Sequence, residues 1–323
     1  MIVHDFRTAH YRFDIEAFEP LNLPAYKGST LRGGFGYAFK KMVCIQKDWR
    51  KCTPCQLGNT CPYGYIFETS VPEDSEVLRS LREVPIPFVI EPPLDDKTAY
   101  RPGDRLSFDV VLVGRAINYL PYFILAFQEL GRAGIGKPRG KYILQRITSV
   151  HPWQSTRELV YDGVDVRVGG RDLSVSAADV VQRVEALPAD RLTMQFITPA
   201  RLKYRGKYVR EPEFHVIVRN LLRRISSLSY FHCGQLWETD FRGIIGAAEE
   251  VKVARMDVEW VDWERYSGRQ QRRINLGGFV GQVTYRGALA KFHALLAWGE
   301  LVHIGKATVF GHGQYQVNRT TNA

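Results

Sequence analysis

Apolar and polar residues alternate loosely from Ile2 to Phe18, the period-two pattern of a strand with one buried face. The period then lengthens: Leu31, Phe35 and Phe39 share one face of a helix that Ser29 or Thr30 can cap, although Gly33, Gly34 and Gly36 weaken it. Glycines crowded into one turn imply close packing against another backbone. Strand-like runs follow at 86–90 and 106–113, then a helical stripe of Leu120, Phe123, Phe127 and Leu130, and a strand over 143–150. Residues 155–176 read as a hairpin, with Asp162-Gly163 and Gly169-Gly170 as turns, and a short helix spans 177–186. The pattern then begins again. A strand over 193–201 leads to a helix that starts at Pro212 and Glu213 and carries Val218, Leu221, Leu222, Ile225 and Leu228. Strands over 249–263 and 274–284 follow, with a last apolar stripe at Leu289, Phe292 and Leu296.

The repetition extends to the loops. Gly134 to Tyr142 and His303 to Tyr315 both carry Ile-Gly-Lys and then a later Gly-x-Tyr, and each follows a strand that ends at glycine and an apolar helix. A duplicated unit of strand, helix, glycine loop and strand changes the whole fold reading. Strand, helix, two strands, helix, strand is the ferredoxin-like order. The expected fold is therefore α+β, two ferredoxin-like domains in tandem. The first covers 1–187 and includes a cysteine-rich insertion at 44–61, and the second covers 188–323 and ends in a glycine-rich loop at 303–315. The boundary is placed at the Leu187-Pro-Ala-Asp190 segment.

Glycine serves where backbone takes positive φ or another chain approaches closely, and a glycine loop beside lysine suits a phosphate backbone. Gly131 to Lys137 has phosphate-loop spacing, but Pro138 stands where a magnesium-binding hydroxyl belongs and the loop enters a strand. A dinucleotide fingerprint lacks its third glycine and its following helix. Plain turn chemistry is the remaining alternative.

With 323 residues, 45% hydrophobic and 24% charged, the chain is that of a globular protein long enough for two cores. It has no apolar run near the eighteen or so residues of a membrane span and no signal-peptide layout at its start, and it reads as cytoplasmic. The formal charge of +10 favours a polyanionic partner. Cations concentrate in Arg201 to Arg210 and in Arg265 to Arg273, interleaved with tyrosines that suit stacked single-stranded bases. Lys203, Arg205, Lys207, Arg269, Arg272 and Arg273 are the candidate phosphate contacts, with a solvated charged surface as the alternative.

Cys44, Cys52, Cys55 and Cys61 lie close together, and Cys52-Thr-Pro-Cys55 has the gap of a zinc knuckle. The outer spacings match no common finger. A structural Zn2+ held by four thiolates is the expectation, with reduced thiols or an iron–sulfur cluster as alternatives.

Tyr26-Lys-Gly-Ser-Thr-Leu-Arg-Gly-Gly-Phe-Gly36 with the cysteine loop, Thr198-Pro-Ala-Arg-Leu-Lys203, Ser267-Gly-Arg-Gln270 with Gly277-Gly278, and the terminal glycine loop resemble the CRISPR-associated endoribonucleases of the RAMP superfamily that process precursor CRISPR RNA. The resemblance spans most of the chain. It implies a protein that grips CRISPR repeat RNA through Lys27, Lys137, Gly305, Lys306, Gly311 and Gly313 as well as the basic segments. It implies cutting without a metal: the ribose 2′-OH attacks the adjacent phosphate, leaving a 2′,3′-cyclic phosphate and a 5′-OH. Members commonly place a histidine in or after the first helix, whereas this chain has none between Pro20 and Glu68. Its glycine pattern also departs at His303 and His312. Tyr26, His303 and His312 are the substitutes for the catalytic groups; His232 is a further candidate for the groove, and His293 reads as structural. The other class of function is an RNA-binding subunit of a CRISPR effector complex that does not cut, with other CRISPR-associated proteins as partners.

Overall fold

The computed structural model describes residues 3–46, 52, 55, 57–69, 71, 84–167, 170–267 and 272–318, without the side chains of Asn59, 264–267 and 272–274. The chain divides into two compact units. An N-terminal unit comprises residues 7–174 with 231–233, and a C-terminal unit comprises 1–6, 175–230 and 234–323.

In the N-terminal unit the elements are β1 (Thr8–Ala17), β2 (Leu21–Asn22), α1 (Gly28–Val43), α2 (Pro62–Phe67), β3 (Phe88–Glu91), β4 (Ala99–Tyr100), β5 (Arg105–Val113), α3 (Leu120–Ala133), β6 (Tyr142–Val150) and β7 (Arg157–Tyr161). The main sheet has the order β3-β5-β1-β6-β7, antiparallel throughout. Alternation in β1 buries Tyr11, Phe13 and Ile15 and turns Arg12, Asp14 and Glu16 to the other face. The buried rows meet a phenylalanine cluster from the helices: Phe35 lies 4.8 Å from Phe127 and 4.7 Å from Phe123, and Phe13 lies 5.1 Å from Phe127. A Cβ on Gly34 would come within 2.8 Å of the Leu130 side chain, so a glycine of α1 does allow a close approach, to a side chain of α3 rather than to a backbone. No side chain caps α1; its N-cap is Lys27, and Ser29 and Thr30 lie inside the first turn.

In the C-terminal unit α4 (Ala177–Val184), β8 (Arg191–Ala200), β9 (Lys203–Tyr204), β10 (Lys207–Tyr208), α5 (Phe214–Leu228), α6 (Phe241–Glu249), β11 (Lys252–Val261), β12 (Glu264–Ser267), β13 (Arg272–Asn275), β14 (Gly278–Arg286), α7 (His293–Val302) and β15 (Tyr315–Asn318) follow in order. Its main sheet runs β11-β14-β8-β15, again antiparallel. Counting only the strands of the repeat, both units show the spatial order second, third, first, fourth, with helices after the first and third strands, which is the order of a ferredoxin-like unit. The stripe Val218, Leu221, Leu222, Ile225 and Leu228 is buried as its spacing requires.

The division between units falls at 174/175, earlier than the Leu187 segment. Helix α4 belongs to the C-terminal unit because Val180 is fully buried and Arg183 reaches both the Glu300 carboxylate at 3.1 Å and the Val317 carbonyl at 2.9 Å. Ser176 and Asp179 close its first turn with a capping box. Among the described residues no helix is long and apolar enough to cross a membrane.

Candidate nucleic-acid interface

The basic stretch that follows β8 folds as the ribbon β9–β10, pairing Lys203 with Tyr208 and Tyr204 with Lys207. Its turn takes Arg205 (φ 46°) and Gly206 (φ 84°) into the left-handed region, which leaves Lys203, Arg205 and Lys207 exposed. Guanidinium groups lie over the interleaved rings. Arg201 is 4.0 Å from the centroid of Tyr208, Arg205 is 5.2 Å and Arg219 5.6 Å from that of Tyr204, and Arg210 is 5.0 Å from that of Trp260. The Tyr204 ring packs edge-on against His215 at 5.1 Å. Arg219 Nε donates to His215 Nδ1 at 3.3 Å, so the imidazole proton sits on Nε2, 3.1 Å from the Glu213 carboxylate.

Arg201 joins this ribbon to the terminal glycine loop. Its Nη1 donates to the Asn275 carbonyl, and its own carbonyl accepts from the Lys306 N–H at 3.1 Å. A Cβ on Gly305 (φ 86°) would lie 2.6 Å from that carbonyl, and one on Gly313 (φ 72°) would lie 1.9 Å from the Ile304 carbonyl. The Thr198 hydroxyl donates to the Gly311 carbonyl at 2.7 Å and accepts from the Gln314 N–H at 2.9 Å, pinning the loop to the end of β8. These two glycines are therefore needed for contact with the protein's own main chain, and the half-exposed Gly305 and exposed Lys306 form the loop's outer edge.

The structure places several of the residues singled out for chemistry inside the protein. His303 and His312 are completely buried. His303 (φ 62°) directs Nδ1 to the His312 carbonyl at 3.1 Å, and the Trp263 ring covers His312 at 4.8 Å with a 30° tilt. Both imidazoles face the inside of the loop. His232 is buried in the N-terminal unit, donating from Nε2 to the Pro85 carbonyl at 2.8 Å and facing the Tyr65 hydroxyl at 3.3 Å; burial pushes the Tyr65 phenol up to about 12. Lys27 is no surface cation either. Its side chain has no exposed area and donates to the carbonyls of Ala25 at 3.0 Å and Asp95 at 2.8 Å and to the Asp95 carboxylate at 3.1 Å.

Tyr26, beside it, is half-buried, and burial with the Glu91 charge raises its phenol far above the usual range, so it stays neutral. Lys137 is exposed on the first glycine loop. That loop too meets the protein's own chain, a Cβ on Gly136 falling 2.2 Å from the Asn22 carbonyl. Arg269 lies outside the described residues; Arg272 and Arg273 stand in β13, but their side chains lie outside them as well.

Cys44, Cys52, Cys55 and Cys61 are half-buried free thiols. The Cys55 N–H closes a turn on the Cys52 carbonyl at 2.8 Å. Among the described residues, however, no three His, Cys, Asp or Glu side chains gather closely enough to hold a metal ion.

Sequence reasoning missed three participants. Trp263, two residues beyond β11, was legible as an aromatic just before a basic run. His215 carried no signal in the pattern. Arg224 is the third: its Nε caps α7 through the Val302 carbonyl at 2.8 Å, and burial lowers its pKa to about 10, leaving it protonated at neutral pH.

Comparison with known proteins agrees with this architecture. Residues 6–172 match the AF_1859_N model, an N-terminal domain, and residues 194–315 match the model of the CRISPR-associated endoribonuclease Cas6. The first match spans more than half of the chain, so the chain belongs to the family defined by that N-terminal domain; the second covers the C-terminal part alone. An uncharacterized protein of Archaeoglobus fulgidus is 24% identical over 312 residues, covering 93% of this chain and 94% of its own. A Cas6 product complex shares the fold at a TM-score of 0.58 and 16% identity, covering 96% of this chain and 100% of its own, and Thermus thermophilus Cas6 does so at 0.54 and 14%, covering 97% and 99%.

Proposed function

We propose that the protein cuts CRISPR repeat RNA and holds it on the cation–aromatic surface formed by β9–β10, Arg201 and the outer edge of the terminal glycine loop. The observation that carries this is the run of exposed cations Lys203, Arg205, Lys207 and Lys306, tied to one another through Arg201 and interleaved with Tyr204 and Tyr208. Such a surface neutralises phosphates and offers ring faces to bases. The match of residues 194–315 to a Cas6 endoribonuclease model supports RNA cleavage as the reaction class.

In the proposed reaction the 2′-OH attacks the neighbouring phosphorus, the bond from phosphorus to the 5′-oxygen breaks, and products with a 2′,3′-cyclic phosphate and a 5′-OH result. The 2′-OH loses a proton and the departing 5′-oxygen gains one, so no metal is required in the balance. A neutral Tyr26 phenol can donate a hydrogen bond to the departing 5′-oxygen; its raised pKa opposes ionisation, so it does not suit the base. The buried loop histidines keep a second reading in view, RNA binding without cutting, with other CRISPR-associated proteins completing the complex; a complex of Cas6, RT, Cas1 and Cas2 contains a similar fold at a TM-score of 0.58 and 11% identity, this chain spanning 47% of that chain.

The test is incubation with the repeat RNA of the protein's own locus in EDTA. One cut is expected, giving a fragment that ends in a cyclic phosphate and a fragment that begins with a 5′-OH, and Tyr26→Phe should slow cutting by about 10²-fold or more with binding retained. Tight binding with no product in any condition would establish the second reading.

A further inference from the structure

Two half-exposed or exposed aromatic rings flank the glycine loop, and each is backed by a group that fixes its plane. Tyr208, 43% exposed, lies against the Arg201 guanidinium at 4.0 Å. Trp263, half-buried, lies against the fully buried His312 ring at 4.8 Å and 30°. The rings belong to one rigid support. Arg201 Nη1 bonds the Asn275 carbonyl, and the next residue, Leu276, donates its N–H to the Trp263 carbonyl at 2.7 Å. On the other side the Arg201 carbonyl holds the Lys306 N–H, which sets the exposed Lys306 beside the same residue.

A duplex keeps its base faces stacked inside, and proteins read A-form RNA through phosphates and 2′-hydroxyls. Ring faces pre-set beside cations suit bases that are unpaired. Resting on the reading of this surface as an RNA interface, we infer that Trp263 and Tyr208 are stacking platforms, and that the segment of RNA crossing the glycine loop is single-stranded. Lys306 and the ribbon cations then take the phosphates on either side of the stacked bases. His312 acts through Trp263 as a positioning residue, which gives its complete burial a role in binding.

The experiment measures binding of the full chain to a labelled RNA without self-complementarity and to the same RNA annealed to its complement. Trp263→Ala and Tyr208→Ala should each weaken the unpaired RNA about tenfold, leave the salt dependence unchanged because no charge is removed, and hardly affect the duplex. Trp263→Phe should restore most of the affinity, and the melting temperature of Trp263→Ala shows whether any of its loss comes from unfolding. Quenching of tryptophan fluorescence by the unpaired RNA should be smaller in Trp263→Phe than in the native chain. If both alanine variants bind the unpaired RNA as the native chain does, or if the native chain prefers the duplex, the stacking assignment is wrong while the RNA interface stands. If the native chain binds neither RNA, both fall.

Discussion

A lysine with no exposed side-chain area cannot meet a phosphate unless it abandons its own partners. Lys27 has three acceptors and forms the N-cap of α1, so its removal should act on folding. The Asp95 carboxyl answers it: desolvation pushes that group up, but the hydrogen bond and charge of Lys27 hold it below its ordinary value. Asp95 is 55% exposed, which screens the pair. Lys27→Ala is expected to cost about 2 kcal/mol, mainly from acceptors left without a donor, and to leave the RNA salt slope unchanged. Urea unfolding and a salt titration of binding check the two halves. Burial likewise sets the two loop histidines apart from the exposed cations. Their types and flanking positions were readable, whereas their direction, inward against His312 and Trp263, depends on backbone at positive φ and on residues far away in sequence.

At the scale of elements, the ribbon β9–β10 carries the binding prediction. Replacing Lys203, Arg205 and Lys207 by alanine should weaken RNA binding at low salt. It should also reduce the magnitude of the log–log salt slope by about 0.7 for each phosphate of a single strand that the ribbon no longer neutralises. An unchanged slope in a filter-binding titration would leave them as solvated charges. The ribbon was legible as a basic aromatic segment because its composition is local. Its link to the glycine loop was not, because that link is one arginine: Arg201 meets Tyr208, Asn275 and Lys306 only after β8, β14 and α7 have packed. The glycines show the same limit. Their number marked close approach, but the partner of Gly305 and Gly313 is the protein's own carbonyl groups.

For the whole molecule, pH enters through burial. His293 on α7 is 5% exposed, and desolvation lowers its pKa in spite of a hydrogen bond with the Pro188 backbone. The unfolded chain therefore takes up that proton first. Stability from this group is complete above the ordinary histidine pKa of about 6.5 and is lost as pH falls through the lower folded value. Thermal melting from about pH 7.5 down to about pH 5.5 should show a smaller fall for His293→Gln than for the native chain.

The sequence by itself determined the repeated succession of elements, since periodicity and strand-ending glycines act over a few residues. It also determined the excess of positive charge and where that charge clusters along the chain. The tertiary structure decided which of those charges reach solvent and which, like Lys27, are consumed inside. It moved α4 to the C-terminal unit through Arg183, Glu300 and Val317, and it turned His303 and His312 inward. These outcomes share one physical cause. Burial and hydrogen-bond partners are properties of contacts between distant segments, and no local pattern of residue types encodes which distant carbonyl or ring will be there.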